Sequence, residues 1–254
     1  MGKTKIKRVP LERFKSPLDD LAGVVKAKHW ENFALEAAEP RLSRFDWREH
    51  GLAPRVRHQQ DWNCCTSFAL SAVVEMLVER AGGAANRLCG GYVHICLGEI
   101  PDPAAIADKN AGINPPAACE KAVTHGIKTG ESDLPGNLAT FCHVDDAAVQ
   151  QVTGGERIAG GVEGLDALTR IGPLIVDMYV PREFADLSRH DVFVCPALPP
   201  LSTLHTMVLM GYDWPNRTAT VLNSSGSSWG NDGFATVKFG SGQLLERKPF
   251  AVRI

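Results

Sequence analysis

Hydrophobic and polar positions alternate with two different periods along this chain, and the change of period falls near its middle. Over CTSFALSAVVEMLVERA, residues 65–81, Phe68, Ala72, Val73, Met76 and Leu77 recur at helical spacing, which predicts a helix with one buried face. Gly82 and Gly83 end it. A second helix is predicted over NPPAACEKAVTH, 114–125, with Asn114 as cap, Pro115 in the first turn and Gly126 as terminator. A third pattern, LDDLAGVVKAKHWENFALEAAE at 18–39, is amphipathic: Asp19 or Asp20 can cap it, Leu21, Val24, Val25, Trp30 and Phe33 supply an apolar face, and Pro40 stops it.

Further along, the runs shorten and become β-branched. PLIVDMYV (173–180), HTMVLMGYD (205–213), TATVLN (218–223), FATVKF (234–239) and FAVRI (250–254) are each bounded by Gly, Pro, Asn or Ser. They predict strands of an antiparallel sheet or barrel. Helices first and strands afterwards make an α+β chain of two lobes, with a helical lobe over 60–150 and a β lobe over 151–254. Residues 1–44 form an N-terminal arm, either packed on the main body or occluding a site.

Composition narrows the function classes. The chain has 254 residues, 44% of them hydrophobic and 22% charged, enough for a substantial core. A net charge of -2 gives no basic field for nucleic acid. KTKIKR at 3–8 is too short to change that, and no apolar h-region follows it. No run of 18 apolar residues predicts a membrane span. Cytoplasmic residence, or export without a signal peptide, is the expectation. Seven cysteines, an odd number with no CxxC, argue against a structural zinc site, and reduced thiols are expected. No cofactor is expected.

The chemistry is carried by position. Cys65 falls at the start of the first helix, where unpaired N–H groups and the helix dipole favour a thiolate. A thiolate needs a base, and the base an orienting partner. His205 opens the strongest β run and Asn223 closes the next strand. Each alone has a plainer explanation: a core cysteine, a structural histidine, a turn asparagine.

Four blocks in order then carry a resemblance. FDWREHGLAPRVRHQQDWNCCTSFALSAVVE (45–75), RIGPLIVDMYV (170–180), LHTMVLMGYD (204–213) and NSSGSSWGNDGF (223–234) resemble segments of the papain-like cysteine peptidases. In that family a DWR, a V-[KR]-x-Q and a C-G-S-C-W-A-F-S precede a G-P-[VI]-S-V strand, an H-A-V-x-x-V-G-Y and an N-S-W-G-x-x-W-G. The resemblance implies a papain-like two-lobe fold over 45–254. Cys65 lies six residues after Gln59, three before Phe68 and ten before Glu75, so the register makes Cys65 the nucleophile. Cys64 becomes a small neighbour, with redox pairing to Cys65 a minor alternative.

The implied roles are His205 as proton carrier, Asn223 as its orienter, and the Gln59 side chain with the Cys65 N–H as oxyanion hole. The implied reaction is peptide hydrolysis through a thioester, on a protein or peptide substrate, with an activating or scaffold protein as a further expected partner. An inactive binding module and an acyltransferase or ligase using the same cysteine stay open as alternatives. Asp177, Thr203, Leu204 and Trp229 are the implied substrate-binding residues, and an acidic Asp177 wall would favour a basic or polar substrate side chain.

The chain departs from the pattern in four places. Trp62 stands where the family has a disulfide cysteine, and alignment makes Cys96 its partnerless mate, a free thiol. Thr66 replaces a tryptophan. Ser225 replaces the tryptophan that shields the His–Asn bond, so a more exposed His205–Asn223 pair is expected. The arm is shorter than the family's proregions, and LERF at 11–14 does not continue into their helix pattern. These departures suggest an intracellular, bacterial-type relative with a specialised processing or effector role.

Overall fold

The computed structural model describes residues 40–83, 86–98, 112–136, 138–143, 149–195 and 202–254. The helix expected over 18–39 lies outside them. The chain enters through β1 (Arg44–Asp46), followed by a 3-10 turn at Trp47–His50. The Asp46 side chain accepts from the Arg48 N–H and so caps this turn.

The first long helix, α1 (Cys65–Arg80), begins at the predicted residue. Its surroundings differ from the prediction: every residue from Thr66 to Leu77 is buried, so the helix is enclosed on all sides. The reason is tertiary. It packs on the helix Pro115–His125 and also crosses the strands Leu174–Val180, Thr203–Asp213 and Phe250–Arg253, and no solvent face is left for polar residues to mark. After the single turn α2 (Tyr92–Ile95) comes α3 (Pro115–His125), where the Asn114 side-chain Oδ1 accepts from the Ala117 N–H and Gly126 closes the helix. A two-stranded ladder, β2 (Ile127–Lys128) with β3 (Val149–Gln150), flanks the short α4 (Leu138–Cys142).

The remainder is mostly sheet: β4 (Gly154–Arg157), β5 (Leu174–Val180), β6 (Val192–Phe193), β7 (Thr203–Asp213), β8 (Thr218–Leu222), β9 (Phe234–Lys238) and β10 (Phe250–Arg253). Their order is β4-β10-β5-β7-β8-β9-β6, with β1 added against β7. All pairings are antiparallel except β6 with β9. The sheet runs open from β4 to β6 and, among the described residues, does not close into the barrel that the sequence allowed.

One helix was not expected. α5 (Gly161–Ile171) interrupts the β half. Its buried positions are Gly161, Gly164, Leu165, Ala167 and Leu168, and the two in its first turn are glycines, which carry no hydrophobic signal. A Cβ on Gly164 would sit 3.2 Å from the Ala159 carbonyl oxygen, so close packing accounts for glycine there. Gly211 is a second close approach: its Cβ would lie 2.5 Å from the Phe45 carbonyl oxygen, where β1 joins β7.

Among the described residues no helix is long and apolar enough to cross a membrane. Seven cysteines were expected to be thiols, and two are not. Cys96, just past α2, is bonded to Cys142 at the end of α4. Cys96 therefore has a partner, one that sequence alignment alone did not offer.

Candidate active site

Cys65 is the first residue of α1, and Cys64 before it makes no side-chain capping bond. The N–H groups of the first turn are thus left facing the sulfur's surroundings, a setting that favours negative charge. β7 runs alongside α1 and brings His205 and Thr206 to the same place. β8 ends at Leu222, so Asn223 stands at the strand's exit. His205 lies beside Cys65, close enough that each shifts the proton affinity of the other. Its Nε2 lies 2.7 Å from Asn223 Oδ1. With Nε2 engaged by Asn223, Nδ1 is the ring nitrogen left for the thiol.

The electrostatics follow from the geometry. Burial by itself would push the Cys65 thiol up, but the hydrogen bond and charge of His205, with the Thr206 backbone and hydroxyl, bring it below its ordinary value. Burial would likewise lower His205, and the Cys65 sulfur, Asn223 and the charge of Asp177 together raise it instead. The two groups favour thiolate and imidazolium. Cys64 behaves oppositely: fully enclosed, its thiol is raised well above the usual range by burial.

Gln59 is held in place by a short backbone ladder. Its N–H donates to the Ser224 carbonyl oxygen at 2.9 Å, the Gly226 N–H donates to the Arg57 carbonyl oxygen at 2.8 Å, and His58 bridges Ser225. Gly226 has φ +84°, and a Cβ there would meet the His58 ring at 2.9 Å, so only glycine fits. The Gln59 side chain donates from Nε2 to the Trp62 carbonyl oxygen at 2.6 Å and accepts from the Ser224 hydroxyl at Oε1. One N–H of the amide remains for another acceptor.

Asn223 is held at both ends of its carboxamide. Oδ1 also accepts from the Ser224 N–H at 2.8 Å, and Nδ2 donates to the Ser225 hydroxyl at 3.0 Å. The expectation of an exposed pair is corrected: His205 is 3% and Asn223 4% exposed, although no tryptophan stands at 225.

A cysteine heading a helix, a histidine beside it and an asparagine behind the histidine are thus assembled from three parts of the chain. The sequence model of the papain family cysteine proteases matches residues 42–248. The chain belongs to that family. A "Cysteine protease" of Blomia tropicalis is 24% identical over 210 residues, 79% of this chain and 62% of that protein, so the chain spans under two thirds of that relative's length. Digestive procathepsin L2 from Tenebrio molitor larval midgut superposes with a TM-score of 0.72 at 19% identity, covering 100% of this chain and 81% of that one. Procathepsin L 3 from the same tissue gives a TM-score of 0.66 at 16% identity, covering 98% and 77%. These structures share the fold of the papain-family chain described here. None of the comparisons supports an intracellular or bacterial-type relative.

The proposed substrate residues divide. Thr203 is half-buried and Leu204 buried on β7, immediately before His205. Asp177 is not a pocket wall. It is 3% exposed, accepts from the Thr206 hydroxyl at 2.9 Å and is paired with Arg157 at 3.2 Å, so its charge is already matched. The expectation of a basic-preferring acidic wall falls with it. Trp229 is corrected as well: its ring is buried against Phe184 at 5.1 Å between centroids, and Nε1 donates to the Phe184 carbonyl oxygen. Sequence reasoning missed Ser224 and Thr206 and marked Thr66 and Ser225 only as departures from the family pattern, since lone hydroxyl residues have no period or spacing to reveal their contacts. Among the described residues no cluster of His, Cys, Asp or Glu is arranged to hold a metal ion.

Proposed function

We propose that this papain-family chain is a thiol endopeptidase whose reacting groups are Cys65, His205, Asn223 and Gln59. The observation that carries this is the continuous line from the α1 terminus through Cys65 and His205 to Asn223. Cys65 Sγ attacks the peptide carbonyl carbon, forming a C–S bond as the carbonyl π pair moves to oxygen. The free Gln59 amide N–H and the Cys65 N–H donate to that oxyanion. The His205 imidazolium gives its proton to the leaving amine, and the C–N bond breaks to leave a thioester. Neutral His205 then takes a proton from water, the hydroxide adds to the thioester carbon, and the second intermediate expels the thiolate. Asn223, fixed by Ser224 and Ser225, keeps the imidazole in plane throughout.

The substrate class is a protein or peptide, and the role a processing one. The Cys96–Cys142 disulfide favours an oxidising compartment over the cytosol expected from the sequence. Incubation with an epoxysuccinyl inhibitor, then intact-mass and peptide analysis, tests the reaction. One adduct on Cys65, absent in Cys65→Ala and slowed in His205→Ala, is expected. No adduct in the wild-type chain would leave a binding module. An adduct together with amine-dependent transfer in place of hydrolysis would make the chain an acyltransferase.

A further inference from the structure

Behind the Cys65–His205 pair runs a second line of polar groups. The Thr206 hydroxyl is 3.0 Å from the Thr66 hydroxyl and donates to Asp177 Oδ1 at 2.9 Å. Asp177 Oδ2 faces both terminal nitrogens of Arg157 at 3.2 Å, and Arg157 Nη1 also donates to the Lys248 carbonyl oxygen at 2.7 Å. Thr66, Thr206 and Asp177 are each no more than 5% exposed, whereas the Arg157 side chain is 30% exposed. A charged carboxylate is therefore enclosed one hydroxyl away from the sulfur.

That hydroxyl has one proton and two claimants. Thr206 lies close enough to Cys65 for its backbone and hydroxyl to favour the thiolate, and that hydroxyl is also the donor to Asp177. While the carboxylate holds the proton, Thr66 is left as the donor to Thr206, and the thiolate loses a donor. The carboxylate's charge acts on both members of the pair in one sense: it favours the protonated thiol and the protonated imidazole. The other ionisable group bearing on the pair is Cys64 at the α1 cap, which burial keeps neutral. Asn223, Thr66 and Thr206 carry no charge. Arg157 on β4 faces the pair only through Asp177.

We propose that Asp177, with Arg157 behind it, is a positioning residue for the Cys65–His205 pair, a buried carboxylate that acts through Thr206 to set the pH range over which the pair is ionised. The proposal rests on Cys65 and His205 being the reacting pair. Neither Asp177 nor Arg157 reaches the reacting atoms; one partner raises the proton affinity of the pair, and the other tempers it.

The test is the rate of Cys65 alkylation by iodoacetamide against pH in the full chain, read by peptide mass. Asp177→Asn is expected to move both inflections of the profile to lower pH, by about half a unit or more. Arg157→Gln, on the more exposed partner, is expected to move both to higher pH, because it leaves the carboxylate unmatched. The double variant should follow Asp177→Asn. Circular dichroism at each pH reports folding, and if Asp177→Asn does not fold, Arg157→Gln alone decides. Opposite displacements support the proposal. Unmoved inflections, or displacements in the same direction, overturn it and leave the ion pair a structural clasp between β4 and β5. Alkylation needs no peptide cleavage. A displaced profile in a chain that cleaves nothing keeps this inference and sinks the endopeptidase, and an unmoved profile in an active peptidase does the reverse.

Discussion

Ser225 stands where the family resemblance places a tryptophan, and in place of a shielding ring it offers a hydrogen bond that fixes Asn223. Its hydroxyl accepts from Asn223 Nδ2 at 3.0 Å while His205 and Ser224 occupy Oδ1. Ser225→Ala removes one of three restraints on the carboxamide, about 1 kcal/mol. A roughly fivefold fall in kcat/KM, with little change in thermal stability, is the expected outcome. Unchanged kcat/KM would mean that His205 and Ser224 hold Asn223 without help. His94 makes a different residue-scale prediction. It is buried in α2 and burial pushes its imidazole down to about 4. Between that value and the ordinary 6.5, the unfolded chain binds a proton that the folded chain refuses. The stability His94 supports is therefore complete above pH 6.5 and lost as pH falls towards 4, by about 3 kcal/mol. Urea midpoints across that range should fall less steeply in His94→Leu than in the wild-type chain. Nothing in the sequence around His94 signalled this, because burial is the whole cause.

At the scale of elements, legibility followed local chemistry. α3 was readable at both ends, since Asn114, Pro115 and Gly126 are each local signals and the structure uses all three. β5, β7, β8, β9 and β10 were readable because apolar β-branched runs bounded by turn residues have few other outcomes. α5 was not read although Leu165, Leu168 and Ile171 recur at helical spacing, because glycines fill its start at Gly160, Gly161 and Gly164 and no side chain caps it. The disulfide was not either: which cysteines meet depends on how α2 and α4 pack, not on spacing along the chain. These helices have four and five residues, too few to hold themselves. Cys96–Cys142 joins their ends across a separation of 46 residues. Replacing both cysteines by serine should cost about 2–4 kcal/mol in unfolding free energy. A denaturant midpoint unchanged by the double replacement, or by reduction, would show that packing alone fixes this region.

Across the whole molecule, the segment that carries Gln59 is tied to α1 by buried charge. Arg57, 2% exposed at its side chain, pairs with Glu75 at 2.5 Å and with Asp133 at 2.6 Å. Glu75 also accepts from the Leu88 N–H at 2.6 Å, and Arg57 donates to the Leu88 carbonyl oxygen. Four stretches of chain meet there. Glu75→Ala strands part of a buried guanidinium and a backbone N–H, and is expected to destabilise by about 3–5 kcal/mol. Chemical denaturation measures it, and a loss below about 1 kcal/mol would show Asp133 to be a sufficient partner. By itself the sequence determined the two periods, the ends of α1 and α3, the five strands β5 and β7 to β10, and the cysteine that heads a helix, since each is written within a few neighbouring residues. Only the tertiary structure decided what those residues meet. It enclosed α1, seated Asp177 against Arg157 and Thr206, buried Trp229, paired Cys96 with Cys142 and put Ser225 where it can hold Asn223. Contacts between residues far apart in sequence depend on how whole elements pack, and no local period records that.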